Sequence, residues 1–496
     1  MTCREHPLRI LRYSMRNIWL LIFPLLRGLS ILQMDARRLY EWARGAWQDI
    51  AVIGLIILFG FVRWYFAHVT VTDKYITQSV GVIIRYRKTI PLESISVANA
   101  ERPWLMIPFG GMKFSCDTRA GIFKATDMRL LVTRKVCAEL MRHIPDVDRK
   151  MRIEDMPRAN IVSVVLFSAF FSSGFSGAIF MGMFFLKGGS IAQDIVSLSL
   201  SRITETTEKI SQRWLLRIPD AAVIFGAFML AAWLLSFIIN LLRYSRFKII
   251  ADRRTINVRC GITNRREYRI NTSHINYTDL RQNLIMKFLK TVTVNISCAG
   301  YGYDSRHLPV LMPIRREKDL GKGLEEAGIS GAEKLEFRSG WSGILSYLFN
   351  PVLAVNLVLP IYQVFEKQFP RFAELSFFFA VMAEIPLVWL VLVKTFAMLS
   401  SGISVKDNKV IVRCAKWTAF HTVIAHKDNI VKAEVRQSLL QMPSKKCNVL
   451  IWFCGESSSC YMVRSLQLTE GAEIMKALGY ETKTSRASSG DKSVTL

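Results

Sequence analysis

A fifteen-residue segment occurs three times in this chain, at residues 76–90, 256–270 and 410–424. It reads ITQSVGVIIRYRKTI in the first copy, INVRCGITNRREYRI in the second and VIVRCAKWTAFHTVI in the third. The copies align on one small residue: Gly81, Gly261 and Ala415. Each has an isoleucine nine residues after that position and an aspartate just ahead of the segment. Repetition of this kind indicates one small structural unit used three times.

The repeated segment has the pattern of half-buried strands. Apolar and polar residues alternate every one or two positions, and Val, Ile, Thr and aromatic residues are frequent between Asp, Asn and Gly turns. More strand-like runs follow each copy. An amphipathic helix then closes each unit, and we predict these helices at 135–144, 316–328 and 469–480. Their apolar residues recur every three or four positions, which gives one face to cover an open sheet.

Long apolar runs precede each copy, in a chain that is 51% hydrophobic. We place six of them at 17–33, 50–68, 159–186, 220–242, 343–365 and 375–399. Each is close to the about 20 residues that a helix needs to cross a bilayer. The predicted order is an N-terminal segment with a first pair of helices (1–68), a domain (69–158), a second pair (159–242), a domain (243–342), a third pair (343–399), a domain (400–480) and a disordered tail (481–496).

Several motifs resemble the bacterial pleckstrin-homology-like domain of the YdbS/YdbT type. They are IPLESI at 90–95, the spaced VRxG…I…I core, RQNL and RQSL, the closing CAG or FCG, and the N-terminal HPLRILRYSMRNIWLLIFPLL. The resemblance covers nearly the whole chain. It implies an α+β membrane protein in which three pairs of transmembrane helices each precede a PH-like bent antiparallel β-barrel, capped by a C-terminal helix.

Charge and cysteine usage predict the orientation in the membrane. Almost all of the net charge of +27 lies in 1–16, 69–158, 243–342 and 400–496, which favours the cytoplasmic side for these segments. All nine cysteines also lie there, as expected for reduced thiols rather than for a disulfide framework. We therefore expect a multi-pass protein of a bacterial inner or plasma membrane, with both termini and the PH-like domains in the cytoplasm.

Basic residues of the repeated segment form the first candidate binding surface. They are Arg85, Arg87 and Lys88 in the first copy, Arg259, Arg265, Arg266 and Arg269 in the second, and Arg413 in the third. Anionic lipid attracts each basic side chain near the membrane by about 1 kcal/mol. The alternative is a solvated basic face without a specific ligand.

A repeated Arg-Gln pair forms the second candidate surface, at Arg281 and Gln282 and again at Arg436 and Gln437. One interpretation is structural: the pair stabilises the start of the following short helix or its docking on the domain. The other is a contact with a partner protein or a lipid headgroup. The first copy reads AERPWLMIPF at this place and lacks the pair.

Ionisable residues inside apolar runs raise a transport alternative. Arg27 and Glu384 lie within predicted membrane segments, where burying a charge costs at least about 2.5 kcal/mol, so that such groups are functional candidates. Outside the membrane, His421 and His426 are expected to be surface or turn residues rather than metal ligands. Cys260 and Cys414 are expected to be small apolar fillers on a strand.

The sequence contains none of the phosphate-loop, dinucleotide-binding, HExxH or GxSxG signatures. We therefore expect no enzymatic activity, no cofactor, no metal site and no nucleic-acid binding. The predicted function is a membrane scaffold that presents three PH-like domains to partner proteins or anionic lipid. Besides the lipid bilayer, the candidate partners are a second membrane protein with the same domain and another copy of the chain. The alternative is a component or regulator of an export or resistance transporter.

Overall fold

The computed structural model describes residues 1–15, 51, 53–82, 84–120, 126–145, 165, 168, 220–252, 254–299, 301, 310–316, 334–439, 441–455 and 459–480. The chain divides into two compact units. Unit 1 is Met1–Asp155 with Ile249–His274, and unit 2 is Met156–Lys248 with Ile275–Leu496. The predicted helix at 17–33, Arg27, the predicted tail and all but two residues of the run at 159–186 lie outside the described residues.

The first sheet of unit 1 has four antiparallel strands in chain order. They are β1 (Thr2–Arg4), β2 (His68–Val71), β3 (Tyr75–Val80) and β4 (Tyr86–Pro91). The buried Ile76 and Ile90 are cross-strand partners, so two of the isoleucines that define the repeat face the core together. Gly81 has φ +129°, and a Cβ there would collide with the carbonyl oxygen of Ile84, so this turn requires glycine.

The second sheet of unit 1 contains strands from two copies of the repeat, in the order β7-β6-β5-β10-β9-β8. The strands are β5 (Ile95–Arg102), β6 (Gly111–Thr118), β7 (Met128–Thr133), β8 (Lys248–Ala251), β9 (Thr255–Cys260) and β10 (Arg265–Asn271). The strands β5, β6 and β7 belong to the first copy, and β8, β9 and β10 belong to the second, so the β5–β10 pairing joins the two copies. We call this pairing the seam of unit 1.

The described residues of unit 1 also form the helices α1 (Leu8–Met15), α2 (Ile53–Tyr65) and α3 (Arg134–Arg142). The helix α3 buries Cys137, Leu140 and Met141 in the same apolar core as Ile76 and Phe114. The predicted closing helix at 135–144 therefore forms and covers the sheet as expected.

Unit 2 repeats this plan with a seven-stranded sheet in the order β13-β12-β11-β17-β16-β15-β14 and a three-stranded sheet β18-β19-β20. The strands are β11 (Tyr277–Asn283), β12 (Thr291–Ser297), β13 (Val310–Arg316), β14 (Phe337–Arg338), β15 (Gly402–Lys406), β16 (Lys409–Lys416), β17 (Ala419–His426), β18 (Ile430–Arg436), β19 (Lys446–Phe453) and β20 (Ser459–Gln467). The β11–β17 pairing is the seam of unit 2, because it joins the second copy to the third.

The helices of unit 2 are α4 (Asp220–Tyr244), α5 (Leu284–Phe288), α6 (Ile344–Gln368), α7 (Ala373–Ser400) and α8 (Leu468–Ala477). The turn between β15 and β16 places Asp407 and Asn408 at φ 44° and 63°, the left-handed pair of a two-residue hairpin turn. The predicted closing helix at 469–480 is confirmed by α8. The one at 316–328 lies, after Arg316, outside the described residues.

The sequence predicts three pairs of membrane-spanning helices, which is more than the described residues show. Only Ile344–Gln368 and Phe379–Ser400 are long and apolar enough to cross a membrane among the described helices. The apolar helix Ile53–Tyr65 is shorter, as is the stretch Ala231–Tyr244 of α4. At about 1.5 Å per residue, Ile53–Tyr65 spans about 20 Å of a hydrocarbon core of about 30 Å.

The predicted closed barrels are also corrected, because every sheet in the described part of the chain is open. Closure of the first copy would require β4 and β5 to share one sheet. Instead β4 is the outer strand of the first sheet, while β5 pairs with β10 of the next copy. The edge that a barrel would close on itself is thus used to join neighbouring copies.

Candidate functional site

Arg266, which we predicted on a basic binding edge, is built into the seam of unit 1. Its Nε and Nη2 atoms donate to Oε1 of Glu101 at 3.1 and 2.9 Å. The two side chains are 11% and 17% exposed, and the residues are direct cross-strand partners between β10 and β5. Arg266 therefore holds two copies of the repeat together rather than facing a ligand.

Two further arginines of this edge also have structural partners. Nη1 of Arg269 donates to the carbonyl oxygens of Met141 and Ile144 at 2.6 and 3.0 Å, at the C-terminal end of α3. Carbonyls at a helix end lack partners within the helix, so Arg269 caps α3. Arg259 is exposed and pairs with Glu267 at 3.0 Å.

The basic residues that remain exposed lie mainly at sheet edges and turns. Arg265 is exposed at the start of β10, while Arg85 and Arg87 are exposed at the outer strand β4. Lys88 on β4 and Arg413 on β16 are half-buried. Arg85, Arg87 and Arg265 are thus the predicted basic residues of unit 1 that are best placed to meet a ligand.

The repeated glutamines make the same hydrogen bond in both copies. Nε2 of Gln282 donates to the carbonyl oxygen of Thr291 at 2.8 Å, and Nε2 of Gln437 donates to that of Lys446 at 3.0 Å. Each bond spans nine residues and closes the loop between two strands. This geometry supports the structural interpretation for the glutamine of each pair.

The arginines of the repeated pairs, Arg281 and Arg436, are exposed. Arg436 donates to Glu434, and Lys432 Nζ lies 3.0 Å from the same carboxylate. The hydrogen bond from Arg436, followed by that from Lys432, lowers the pKa of Glu434 to about 2. The carboxylate therefore stays ionised at any physiological pH and compensates part of the basic charge on β18.

His421 is buried, contrary to the prediction of a surface or turn position, while His426 is exposed. Nδ1 of His421 lies 2.8 Å from Oδ2 of Asp279 across the seam of unit 2. The rings of His421 and Tyr461 lie 5.8 Å apart. In the described part of the chain, no group of three or more His, Cys, Asp or Glu residues is placed to hold a metal ion.

All nine cysteines are free thiols, and Cys260 and Cys414 are buried strand residues, as predicted. Burial raises the pKa of Cys137 and Cys414 to about 12 and that of Cys447 to about 11. These thiols are protonated at neutral pH, which makes them poor nucleophiles.

We expect a thiol-specific maleimide to modify Cys454 in the folded full chain at pH 7.5, because it is the exposed thiol. Cys137, Cys414 and Cys447 should react only after unfolding in denaturant, since they are buried and protonated. Peptide mass spectrometry at successive labelling times gives the order. Modification of Cys414 in the folded chain as fast as that of Cys454 would contradict this packing.

In unit 2 the strands are fixed to the two long apolar helices. Leu284 of α5 packs in one apolar cluster with Val393 and Ala397 of α7, and Lys287 Nζ lies 2.9 Å from Ser400 Oγ. On the other helix, Nη1 of Arg464 in β20 donates to the carbonyl oxygen of Ser346 at 2.8 Å. The backbone N–H of Arg464 also donates to the hydroxyl of Tyr347 at 3.2 Å. The contacts reach both α6 and α7, so α5 and β20 are packed against these helices and are not joined to them only through the chain. We call this packed arrangement of unit 2 the platform.

Sequence reasoning missed both seams and this docking of α5. The sequence offers one signal for this docking, namely the apolar residues that follow each Arg-Gln pair. A simple turn between two strands would not require apolar residues there. Of the intramembrane candidates, Glu384 is half-buried within α7 and Arg27 lies outside the described residues.

Comparison with known proteins bears on the fold of both units. The profile of the bacterial PH domain family matches residues 36–147 and 185–327, which is just over half of the chain. No curated protein and no solved structure matches the chain. Strands and a closing helix lie within the first matched segment, and strands of both units lie within the second. On this match the chain belongs to the bacterial PH domain family.

Proposed function

We propose that this chain is a non-enzymatic, multi-pass protein of a bacterial inner or plasma membrane. Its PH-like strands form a cytoplasmic platform that binds anionic lipid headgroups or partner proteins. The observation that carries the proposal is the attachment of β20 and α5 to α6 and α7, the two helices long enough to cross a membrane.

Rigid attachment matters for unit 2, because strands fixed to membrane helices stay at a constant height above the lipid. A weak contact made there does not have to overcome the loss of freedom of a loose tether. Several weak contacts on one chain also reinforce one another when the geometry lets them form together. Family membership supports a binding module and leaves the ligand to experiment.

The lipid-binding arm rests on the exposed arginines of β4 and its turn. Arg85 and Arg87 are exposed, and neither forms an ion pair with a described residue of unit 1. Each basic residue close to an anionic membrane contributes about 1 kcal/mol to binding. At 0.1 M salt this attraction is largely screened beyond a distance of about 10 Å.

To test this arm, the full chain is placed in nanodiscs of equal phosphatidylglycerol and phosphatidylcholine. Native mass spectrometry then compares how many molecules of each lipid stay bound. We expect an excess of phosphatidylglycerol that falls with salt and falls again in the Arg85→Ala/Arg87→Ala variant, by about thirtyfold in apparent affinity if each arginine contributes as above.

Lys74→Ala is the matched control, because Lys74 is exposed in the turn at the other end of β3. It should leave the excess of phosphatidylglycerol unchanged. If the double variant binds both lipids as the unmodified chain does, the lipid arm is wrong and partner proteins become the ligand to identify, by co-purification in mild detergent.

The half-buried Glu384 in α7 is the observation behind the transport alternative. Solute uptake into proteoliposomes that is lost in the Glu384→Gln variant would favour that alternative over a scaffold.

A further inference from the structure

Unit 1 exposes large apolar side chains on two of its loops. Ile84 in the turn between β3 and β4 is 84% exposed, and Tyr86, the first residue of β4, is 63% exposed. The turn between β5 and β6 exposes 56% of Trp104, 63% of Leu105 and 61% of Phe109. We call these five residues the apolar rim. An exposed apolar patch of this kind marks a surface that something else covers.

The β3–β4 turn lies at the end of the sheet where α2 enters it. The helix α2 ends at Tyr65, β2 begins at His68, and His68 pairs with Ser79 near the end of β3. The chain therefore leaves β3 beside the end of α2, and the turn that carries Ile84 continues from that point. Opposite, at the far end of β2 and β3, lies the turn that carries Lys74.

The β5–β6 turn is tied to the same end of α2 by two consecutive residues. The indole N–H of Trp64 donates to the carbonyl oxygen of Glu5 at 2.7 Å. Nε2 of His6 lies 2.9 Å from the carbonyl oxygen of Phe109, which can only accept, so the ring donates there. The turn also closes on itself, since Gly110 N–H donates to the carbonyl oxygen of Ile107. The backbone of the turn is thus linked through His6 and Glu5 to the C-terminal end of α2.

Unit 2 shows the same relation between loops and an apolar helix. In α5, which follows β11 as the β5–β6 turn follows β5, the ring of Phe288 lies 5.5 Å from that of Phe396 in α7. The β16–β17 turn, equivalent to the β3–β4 turn, exposes Trp417, and β16 pairs with β15 directly after α7 ends. In both units, loops at these two repeat positions gather where an apolar helix meets the strands.

We propose that the apolar rim inserts into the headgroup and acyl boundary of the bilayer in which the chain is anchored. The proposal rests on the proposed function, since it requires a membrane on the α2 side of unit 1. Tryptophan and tyrosine favour this boundary because their rings have one apolar and one polar end. Arg85 and Arg134 are exposed beside the two loops, where they meet lipid phosphates.

The test places the photo-crosslinker p-benzoylphenylalanine at Ile84, at Leu105 or at Lys74 of the full chain in phosphatidylglycerol and phosphatidylcholine vesicles. After irradiation, intact-mass spectrometry identifies the adducts. We expect lipid adducts from positions 84 and 105 and none from position 74. Because insertion is apolar, their yield should persist in vesicles of phosphatidylcholine alone and at high salt, unlike binding through Arg85 and Arg87.

Adducts of positions 84 and 105 with a second copy of the chain or another protein would overturn the proposal and assign the rim to that contact. Equal lipid adducts from position 74, or none from 84 and 105, would also overturn it. Carbonate extraction of the same membranes reports separately on the proposed function. A chain that resists extraction but gives no lipid adduct refutes the rim alone, whereas an extracted chain refutes the membrane protein itself.

Discussion

Replacing Glu101 with alanine is expected to destabilise unit 1 by about 3–5 kcal/mol, because it leaves the guanidinium of Arg266 largely buried without its counter-charge. Both side chains are mostly covered, and both nitrogen contacts of Arg266 to Glu101 would be lost. Hydrogen exchange of the full chain, measured by mass spectrometry, should show lower protection of β5 and β10. Protection in unit 2 should be unaffected.

The neighbouring Arg265 provides the control. It carries the same charge one residue away but is exposed, so Arg265→Ala should change stability by no more than about 0.5 kcal/mol. The double variant Glu101→Leu/Arg266→Met should recover most of the loss, because an apolar pair of similar size needs no counter-charge. If Glu101→Ala and Arg265→Ala behave alike, the seam does not depend on this ion pair.

The two seams share one design. Each pairs a strand from the second half of one copy with a strand from the first half of the next copy within one sheet. Each also contains a largely buried pair of an acidic and a basic residue: Glu101 with Arg266, and Asp279 with His421. Strand pairing by backbone hydrogen bonds alone allows slippage by two residues without exposing the core face. A slip would separate each pair and leave largely buried polar groups without these partners, so the pairs favour one register between copies.

The sequence pattern alone predicts those features of the fold that depend on local periodicity, namely which strand residues are buried and where the closing helices form. The isoleucines that define the repeat are buried, as at Ile76, Ile90 and Ile270, because alternation places them on the core face of each strand. The closing helices α3 and α8 follow from apolar residues spaced by three and four. Cys260 and Cys414 were placed correctly for the same reason, since they occupy inward positions of β9 and β16.

Pairing between copies could not be predicted in this way. Periodicity tells which face of β5 is buried, but the edge along which β5 pairs is set by backbone groups that every residue has. Alternation counted back from Ile270 puts Arg266 on the inward face of β10 and Arg265 on the other face. It does not identify Glu101 as the partner of Arg266, because Glu101 is 165 positions upstream and meets Arg266 only once β10 lies beside β5.

The attachment of unit 2 to its apolar helices supports the second large prediction. Leu284 is 2% exposed and packs with Val393, Ala397 and Phe420. Leu284→Ala removes these contacts and leaves a cavity, which is expected to cost about 2–5 kcal/mol. In the full chain, hydrogen exchange should rise in α5 and in the last turns of α7. The core of β19 and β20, which α8 covers, should be unchanged.

Leu289→Ala is the matched control, since the same side chain is removed five residues later at an exposed position, and we expect a change within about 0.5 kcal/mol. The comparison separates two pictures of the molecule. If Leu284 fastens α5 to the apolar helix α7, its loss must loosen α5 and α7 together, because each is the other's packing partner. Loosening of α5 with α7 unchanged would mean that the strands of unit 2 are only tethered to α7, and the constant height proposed for them would then be lost.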